Sequence, residues 1–301
     1  MWAERKTLGV ALSCIYAFVG MSRQAIWQKV TSAQAWQAVE RHIVAQVGVL
    51  RIAHPRMGAR KIYEKWSACP ENAHLLEGVG RDKFEEILMS NGLKISKLRA
   101  GHRTTYSGLC RFPNAIAGNS YTDINEVWMS DITYYWIEGE WVYITLILDV
   151  YSRCCLAAVL SRTLKTEDTT LPALKMALKA RGNIKYTNLT LHSDGGGQYY
   201  DKNFVKLLRE NGIKSSMGLS CYENPFAERL NSTVKNEYLL PKNLITFLAL
   251  AAELLRTLHL YNTDRPHQSL NYLTPLAYEA FIAPIPQNQR IPLKIVVVES
   301  K

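Results

Sequence analysis

Three acidic side chains sit where carboxylates could do chemistry. Asp131 lies in Trp128-Met-Ser-Asp131-Ile-Thr-Tyr134, within a strand-like run. Asp194 follows a short apolar run in His192-Ser-Asp194-Gly-Gly-Gly-Gln-Tyr199, and Glu228 lies in Glu223-Asn224-Pro-Phe-Ala-Glu228-Arg-Leu-Asn231. A carboxylate among apolar strand residues costs several kcal/mol unless positive charge neutralises it. Three that converged would repel one another, and a pair of Mg²⁺ ions, for which Mn²⁺ can substitute, would remove the repulsion. Two such ions roughly 4 Å apart activate a water or a hydroxyl and stabilise the leaving oxygen of an in-line displacement at phosphorus. No His or Cys nucleophile constellation is then required.

The surroundings of these acids sharpen the reading. Gly195 to Gly197 directly follow Asp194 and let backbone approach a phosphate or a metal closely. Asn224, Glu228, Asn231 and Lys235 recur at i, i+4, i+7 and i+11, which places a carboxylate, two amides and an ammonium on one helix face. Glu223 is another candidate for the third carboxylate, and the family resemblance described below, in which a lysine follows seven residues after the glutamate, implies Glu228. Glu237 falls half a turn from Glu228 on an ideal helix. Eighteen acids lie between residues 123 and 301, so a structural role for any single one stays open. Asp149 beside Tyr151-Ser152-Arg153 reads as a turn cap, and His192 as a structural hydrogen bonder. Arg265, Pro266 and His267 suit either core packing or contact with a polyanion.

The elements that must position these groups follow from the pattern of the chain. Val127 to Trp136, Trp141 to Val150 and Cys154 to Leu160 are β-rich runs with turns at Glu138-Gly139 and Tyr151-Ser152-Arg153. Helix Thr166 to Arg181, strand Asn188 to His192, helix Asp201 to Asn211, strand Ile213 to Met217 and a helix near Glu223 to Tyr238 come next. The order β-β-β-α-β-α-β-α predicts an α/β fold, a mixed five-stranded sheet flanked by helices. A long helix, Leu244 to Tyr261, and a Pro-rich tail complete the chain.

Upstream, the pattern is all-α. Residues 1–30 read as two short helices with a turn at Gly20 and a cap at Ser22, and 34–52 as an amphipathic helix. Ala59 to Ser67 is a short basic helix. Arg81 to Ser90 is the candidate recognition helix of a helix-turn-helix pair, with Arg81 and Lys83 at its start. These features divide the chain into a helical region (1–93), a basic linker (94–122) carrying Arg99 and Arg103, a core (123–240) and a C-terminal helix and tail (241–301).

Charge agrees with this division. Residues 1–122 hold 17 Lys plus Arg against 8 Asp plus Glu, or +9, and the remainder 19 against 18, or +1. A basic third joined to a near-neutral remainder is what a polyanion binder needs, since phosphate neutralisation releases counterions. The six cysteines form no C-x-x-C pair, which fits a reducing, cytoplasmic setting. No run reaches the ~18 apolar residues of a membrane span. Leu8 to Met21 leads straight into Gly20 and Ser22 and reads as part of the helix-turn-helix, not as a cleaved leader.

Taken together, Trp128-x-x-Asp131-Ile-Thr-Tyr134, His192-Ser-Asp194-x-Gly-x-Gln-Tyr199, Glu228 with Lys235, Met57-Gly-Ala-Arg60-Lys61-Ile62 and the ending Tyr261-Asn-Thr-Asp-Arg265-Pro-His267-Gln-Ser-Leu270 resemble a known family. It is the second-reading-frame (OrfB) DDE transposases of bacterial insertion sequences of the IS-three type. The resemblance implies an RNase H-like, retroviral-integrase-like core with Asp131, Asp194 and Glu228 as catalytic metal ligands. It implies Lys235 on DNA near the scissile phosphate, and nicking at transposon ends followed by attack of the freed 3′-hydroxyl on target DNA. Asn224, Asn231, Arg60, Lys61, Arg81, Lys83, Arg99 and Arg103 are the further candidates for contact with DNA. Double-stranded DNA, a homo-oligomer that synapses the ends, and an upstream-frame (OrfA) product are the partners it implies, in the bacterial cytoplasm at the nucleoid. Between Asp194 and Glu228 lie 33 residues, two fewer than that family usually shows, and Gly195 stands where it commonly has a basic residue. A DNA-binding regulatory or domesticated protein without catalysis is the alternative, and a hybrid-degrading RNase H-like nuclease a third reading.

Overall fold

The computed structural model describes residues 7, 9, 11–96, 111–218 and 223–296. Arg99 and Arg103 lie outside the described residues. The chain forms two compact units: Met1–Leu50 with Trp66–Lys94, and Arg51–Lys65 with Ile95–Lys301. The segment Arg51–Lys65, within the helical region by sequence, thus belongs to the larger unit.

In the smaller unit, helix α1 (Leu12–Val19) stops at Gly20, whose φ of +65° lets its N–H reach back to the last turn. Ser22 Oγ then accepts from Ala25 N at 3.2 Å, capping α2 (Arg23–Ala53). The two helices expected across residues 22–52 are one continuous helix of 31 residues. Thr31 and Ser32 are weak helix formers, but neither is the Gly or Pro that would break it, and each costs only a few tenths of a kcal/mol. Helix α3 (Ala59–Ser67), most of which belongs to the larger unit, and helix α4 (Arg81–Ser90) of the smaller unit have the bounds the sequence predicts. Phe84, Ile87 and Leu88 of α4 are buried, with Trp66 edge-on to Phe84 at 5.6 Å.

The larger unit is built on a sheet. Strand β1 (Ser120–Tyr121) pairs only with β7 (Leu293–Lys294), a short ribbon with no signal in the sequence. The main sheet comprises β2 (Val127–Ile137), β3 (Glu140–Asp149), β4 (Cys155–Ser161), β5 (Thr190–Ser193) and β6 (Lys214–Met217), in spatial order β4-β3-β2-β5-β6. The first three run antiparallel, while β5 and β6 join parallel to β2. The β2–β3 hairpin turns on Glu138 and Gly139, both at positive φ (+54° and +79°), the two-residue turn whose twist matches paired strands.

Alternation along the strands builds two cores. Met129, Val142, Ile144, Leu146 and Leu148 join Leu230, Val234, Leu250 and Leu254 on one face. Trp128 and Ile147 join Ala173, Leu174, Phe204 and Leu208 on the other. The first face is covered by α7 (Pro225–Ser232) and α8 (Phe247–Thr263). The second is covered by α5 (Thr170–Ala180) and α6 (Lys202–Glu210). Each fully buried aliphatic side chain contributes about 1.5–3 kcal/mol relative to exposure. Helix α5 starts four residues later than the pattern suggests, because Lys165–Thr169 turns on itself before the helix begins. The tail carries one more helix, α9 (Pro275–Ile282).

Beyond Ser232, α7 continues as a π-helical segment, Thr233–Leu239. The 100° per residue used to place Lys235 and Glu237 therefore does not hold there, a wider turn of the kind that often marks functional sites. Among the described cysteines, Cys14, Cys69, Cys154 and Cys155 are free thiols. No helix is long and apolar enough to cross a membrane among the described residues.

Candidate active site

Asp131 and Asp194 meet through strand register. Parallel β2 and β5 pair Met129 with His192, and two residues further on stand Asp131, within β2, and Asp194, just past the end of β5. Asp131 lies on the same side of β2 as Val127 and Met129, the side that α7 covers. Its Oδ1 accepts from Ile132 N at 2.9 Å and its Oδ2 from Asn231 Nδ2 at 2.7 Å. Asp194 Oδ1 accepts from Gly196 N at 3.1 Å. A side chain at Gly196 would put its Cβ 3.1 Å from Asp194 Oδ1 and 3.0 Å from Gln198 Oε1, so glycine there permits the close approach.

Helix α7 presents its polar stripe to β2. Asn224 Nδ2 donates to Ser130 O at 2.9 Å, Asn231 to Asp131, and Lys235 Nζ to Tyr134 O at 2.5 Å. Asn224 and Asn231, expected on DNA, are instead 3% and 7% exposed and committed to the strand. Glu228 lies between them on the stripe and is itself exposed. Burial pushes the Asp131 carboxyl up to about 7, the neighbouring charge of Asp194 adds to that, and Glu228 acts in the same direction. Burial also raises Asp194.

The three carboxylates thus share one electrostatic neighbourhood. Even so, among the described residues no three His, Cys, Asp or Glu side chains are gathered closely enough to hold a metal ion. The donor set nevertheless suits a hard divalent cation. It is all oxygen, and no Lys or Arg pairs with Asp131 or Asp194 among the described residues, so burial opposes their charge and only hydrogen bonds from Ile132, Asn231 and Gly196 offset it.

Other candidates fall elsewhere. Asp149 is fully buried and accepts from Asn125 N, Tyr151 N and Ser152 N at 2.7–3.1 Å, with Arg181 at 3.5 Å, which makes it the cap of the turn. His192 bonds Ser216 Oγ at 2.9 Å, and burial lowers its pKa to about 4, so it is neutral at pH 7. Arg265 is buried against Glu237 through two hydrogen bonds at 2.9 Å. Lys61 pairs with the same Glu237 at 3.2 Å, whereas Arg60 is exposed. In the smaller unit, Arg81 pairs with Asp82, and Lys83 pairs with Glu86 and sits over the Trp36 ring. A second network escaped the sequence altogether. His54 bridges Tyr238 Oη at 2.8 Å and Asp264 Oδ2 at 2.7 Å, and Lys65 also pairs with Asp264.

The sheet order and the helices on both faces define the class of fold, an RNase H-like mixed five-stranded sheet flanked by helices. A family model described as an integrase core domain matches residues 122–220, and a second integrase core domain model matches 212–275. The chain is 30% identical over 208 residues to the 31 kDa protein of insertion element IS600 from Shigella sonnei, covering 66% of this chain and 75% of that one. It is 31% identical over 208 residues to a transposase-like protein of Haemophilus influenzae, covering 66% and 93%. With transposase InsF for insertion sequence IS3A of Escherichia coli it shares 28% identity over 158 residues, 52% of this chain and 54% of that one. Among solved structures, the HTLV-2 integrase catalytic core domain in complex with magnesium aligns with a TM-score of 0.42 at 20% identity, covering 52% of this chain and 96% of that one. The chain belongs to the IS3 family of DDE transposases.

Proposed function

We propose that this transposase cuts the ends of its insertion sequence and joins them to target DNA at Asp131, Asp194 and Glu228. These three side chains would hold two Mg²⁺ ions, with Mn²⁺ as a functional substitute. When bound, such ions activate the attacking oxygen and stabilise the leaving one. The chain's own residues do the rest. In the first step a water oxygen attacks phosphorus, the P–O3′ bond breaks, and a free 3′-hydroxyl is left at the element's end. In the second, that hydroxyl attacks a target phosphodiester and the target's own 3′ oxygen departs. Asn231 holds the Asp131 carboxylate in one orientation, Gly196 N does the same for Asp194, and Asn224 ties the start of α7 to β2.

Lys235 is assigned to DNA beside the scissile phosphate, reached by exchanging its bond to Tyr134 O for one to a phosphate oxygen. Arg60, Arg81, Lys83, Arg99 and Arg103 are assigned to backbone phosphates, with α4 as the recognition helix. Lys61, through Glu237, has a positioning role in this assignment. The active form would be a homo-oligomer that synapses two ends, with an upstream-frame product as partner or fusion, working on the bacterial nucleoid.

The observation that carries the reading is the alignment of Asp131 and Asp194 across parallel strands beneath the helix that bears Glu228. The test uses labelled duplex carrying the element's ends, with Mg²⁺, comparing wild type with Asp194→Asn. Cleavage and joining by wild type alone supports the assignment. Equal activity of the two proteins would overturn it, and specific binding without cleavage by wild type would favour a regulatory role.

A further inference from the structure

Helix α7 has a second working flank. Phe226, Arg229, Leu230 and Thr233 recur at i, i+3, i+4 and i+7, a stripe separate from that of Asn224, Glu228 and Asn231. They line a cavity of about 590 Å³ that extends to Arg153 in the turn after β3 and to Arg265 and Ser269 in the tail. Four cationic side chains, Lys61, Arg153, Arg229 and Arg265, face this space, and no Asp or Glu lines it. Glu237 compensates Lys61 and Arg265 between them. Arg153 and Arg229 have no ion pair among the described residues. The Arg153 guanidinium lies over the Phe226 ring at 4.0 Å and donates to Val150 O at 2.5 Å, so most of its donors remain available.

The backbone adds an independent sign. Arg153 has φ +63°, a left-handed conformation that residues other than glycine seldom adopt. Placing an arginine there aims a guanidinium into the cavity. Neighbouring groups register the resulting field. Burial lowers His267 to about 2, and Arg265, Lys61 and Arg153 push it further the same way. Burial and Arg265 bring Lys61 down to about 8, with Arg229 contributing against the pull of Glu237.

We propose that this cavity seats a phosphate group of a nucleic-acid backbone, gripped by the Arg153 and Arg229 guanidinium groups with Ser269 Oγ as a neutral donor. Planar guanidinium forks match phosphate oxygens two at a time, and two of them with no carboxylate partner form a ready receptor. Arg229 directly follows Glu228, so a phosphate held here fixes the helix that carries the third acid from the flank opposite the reaction. The contact is a second hold on DNA, separate from the scissile phosphate.

The test is binding of labelled duplex to the full chain without divalent cation, across a salt series, so that cleavage plays no part. Arg229→Gln and Ser269→Glu are both at exposed positions, and unchanged melting temperatures confirm folding. Each is expected to weaken binding about 3- to 30-fold and to lower the slope of log K against log salt by about 1, and Arg229→Lys to restore most of the slope. Because no cleavage is read, loss of end cleavage in Asp194→Asn, which tests the catalytic assignment, leaves this outcome untouched. A parallel melting series with sodium tripolyphosphate separates the sources of phosphate. Stabilisation of wild type but not Arg229→Gln, with unchanged DNA slopes, would mean a free polyphosphate site and overturn the backbone assignment. Identical behaviour of wild type and both variants toward duplex and tripolyphosphate would overturn the site itself.

Discussion

The side-chain amide of Asn231 donates to Asp131 Oδ2 at 2.7 Å, joining residues 100 positions apart in the chain. Ile132 N holds the other oxygen, so the carboxylate is fixed from two sides before any ligand arrives. Partners of this kind that orient a metal-binding carboxylate are worth about 10- to 100-fold in metal affinity or activity. Asn231→Ala is therefore expected to raise the Mg²⁺ concentration for half-maximal cleavage by about that factor, with a smaller change at saturating Mg²⁺. A Mg²⁺ titration of end cleavage checks this, and an unchanged midpoint would show that Asn231 only packs. Asn231→Asp, which sets a further negative charge against Asp131, is expected to be worse than alanine.

Under the proposed assignment the same carboxylate sets stability against function. Burial and Asp194 both oppose its charge, so Asp131→Asn relieves the fold of a charge and, under the proposed assignment, removes the chemistry. Strand transfer should fall at least ~1,000-fold, about 4 kcal/mol of barrier. Meanwhile the melting temperature of metal-free protein at pH 8 should rise by about 2–4 °C for each kcal/mol relieved. Calorimetry beside a joining assay separates the two effects. A drop in melting temperature would mean that the Asp131 charge is already compensated.

How far the sequence reaches is clear from particular residues. The β2–β3 hairpin was legible because Glu138-Gly139 marks a two-residue turn between alternating runs, and α4 because Gly80 and Asn91-Gly92 bracket it. Asp131, Asp194 and Glu228 were legible as candidates through their local contexts. What brings the first two together, the pairing of Met129 with His192, is a register between strands 63 residues apart and leaves no local mark. The same holds for His54 with Tyr238 and for Lys61 with Glu237, separated by 184 and 176 residues. The π-helical turn at Thr233–Leu239 escaped because apolar spacing does not distinguish it from an α-helix over so few residues. The burial of Asn224 and Asn231 escaped because a polar stripe reads the same whether it faces DNA or a strand.

Glu237 gives a pH dependence with a definite sign. Arg265, first, and then Lys61 hold its carboxyl below the usual range despite burial. The folded state therefore binds fewer protons than the unfolded chain near pH 4, and stability from this group is present above about pH 4.3 and lost as pH falls further. Glu237→Gln leaves Arg265 buried without its partner and should cost about 3–5 kcal/mol at pH 7. Urea unfolding at several pH values checks this. The gap between wild type and variant should narrow as pH drops from 5 toward 3, and a constant gap would show that packing, not charge, is what the substitution removes.

The glycine run after Asp194 offers a comparison inside one loop. Gly196 has an ordinary backbone conformation, φ −62° and ψ 139°, so only space excludes a side chain there. An added Cβ would stand 3.1 Å from Asp194 Oδ1 and 3.0 Å from Gln198 Oε1, and Gln198 is itself anchored to Leu164 O at 3.0 Å. One of the two must move, and displacing a reacting-site carboxylate by up to 1 Å can cost about 100-fold in rate. Gly197 differs, because its Cβ would meet nothing nearer than Tyr200 Oη at 3.6 Å, an ordinary contact. Gly196→Ala should therefore lose about 10- to 100-fold in end cleavage while Gly197→Ala stays within about threefold, both at near-native melting temperature. Equal losses in the two variants would mean that the run serves backbone freedom in general and not the placement of Asp194.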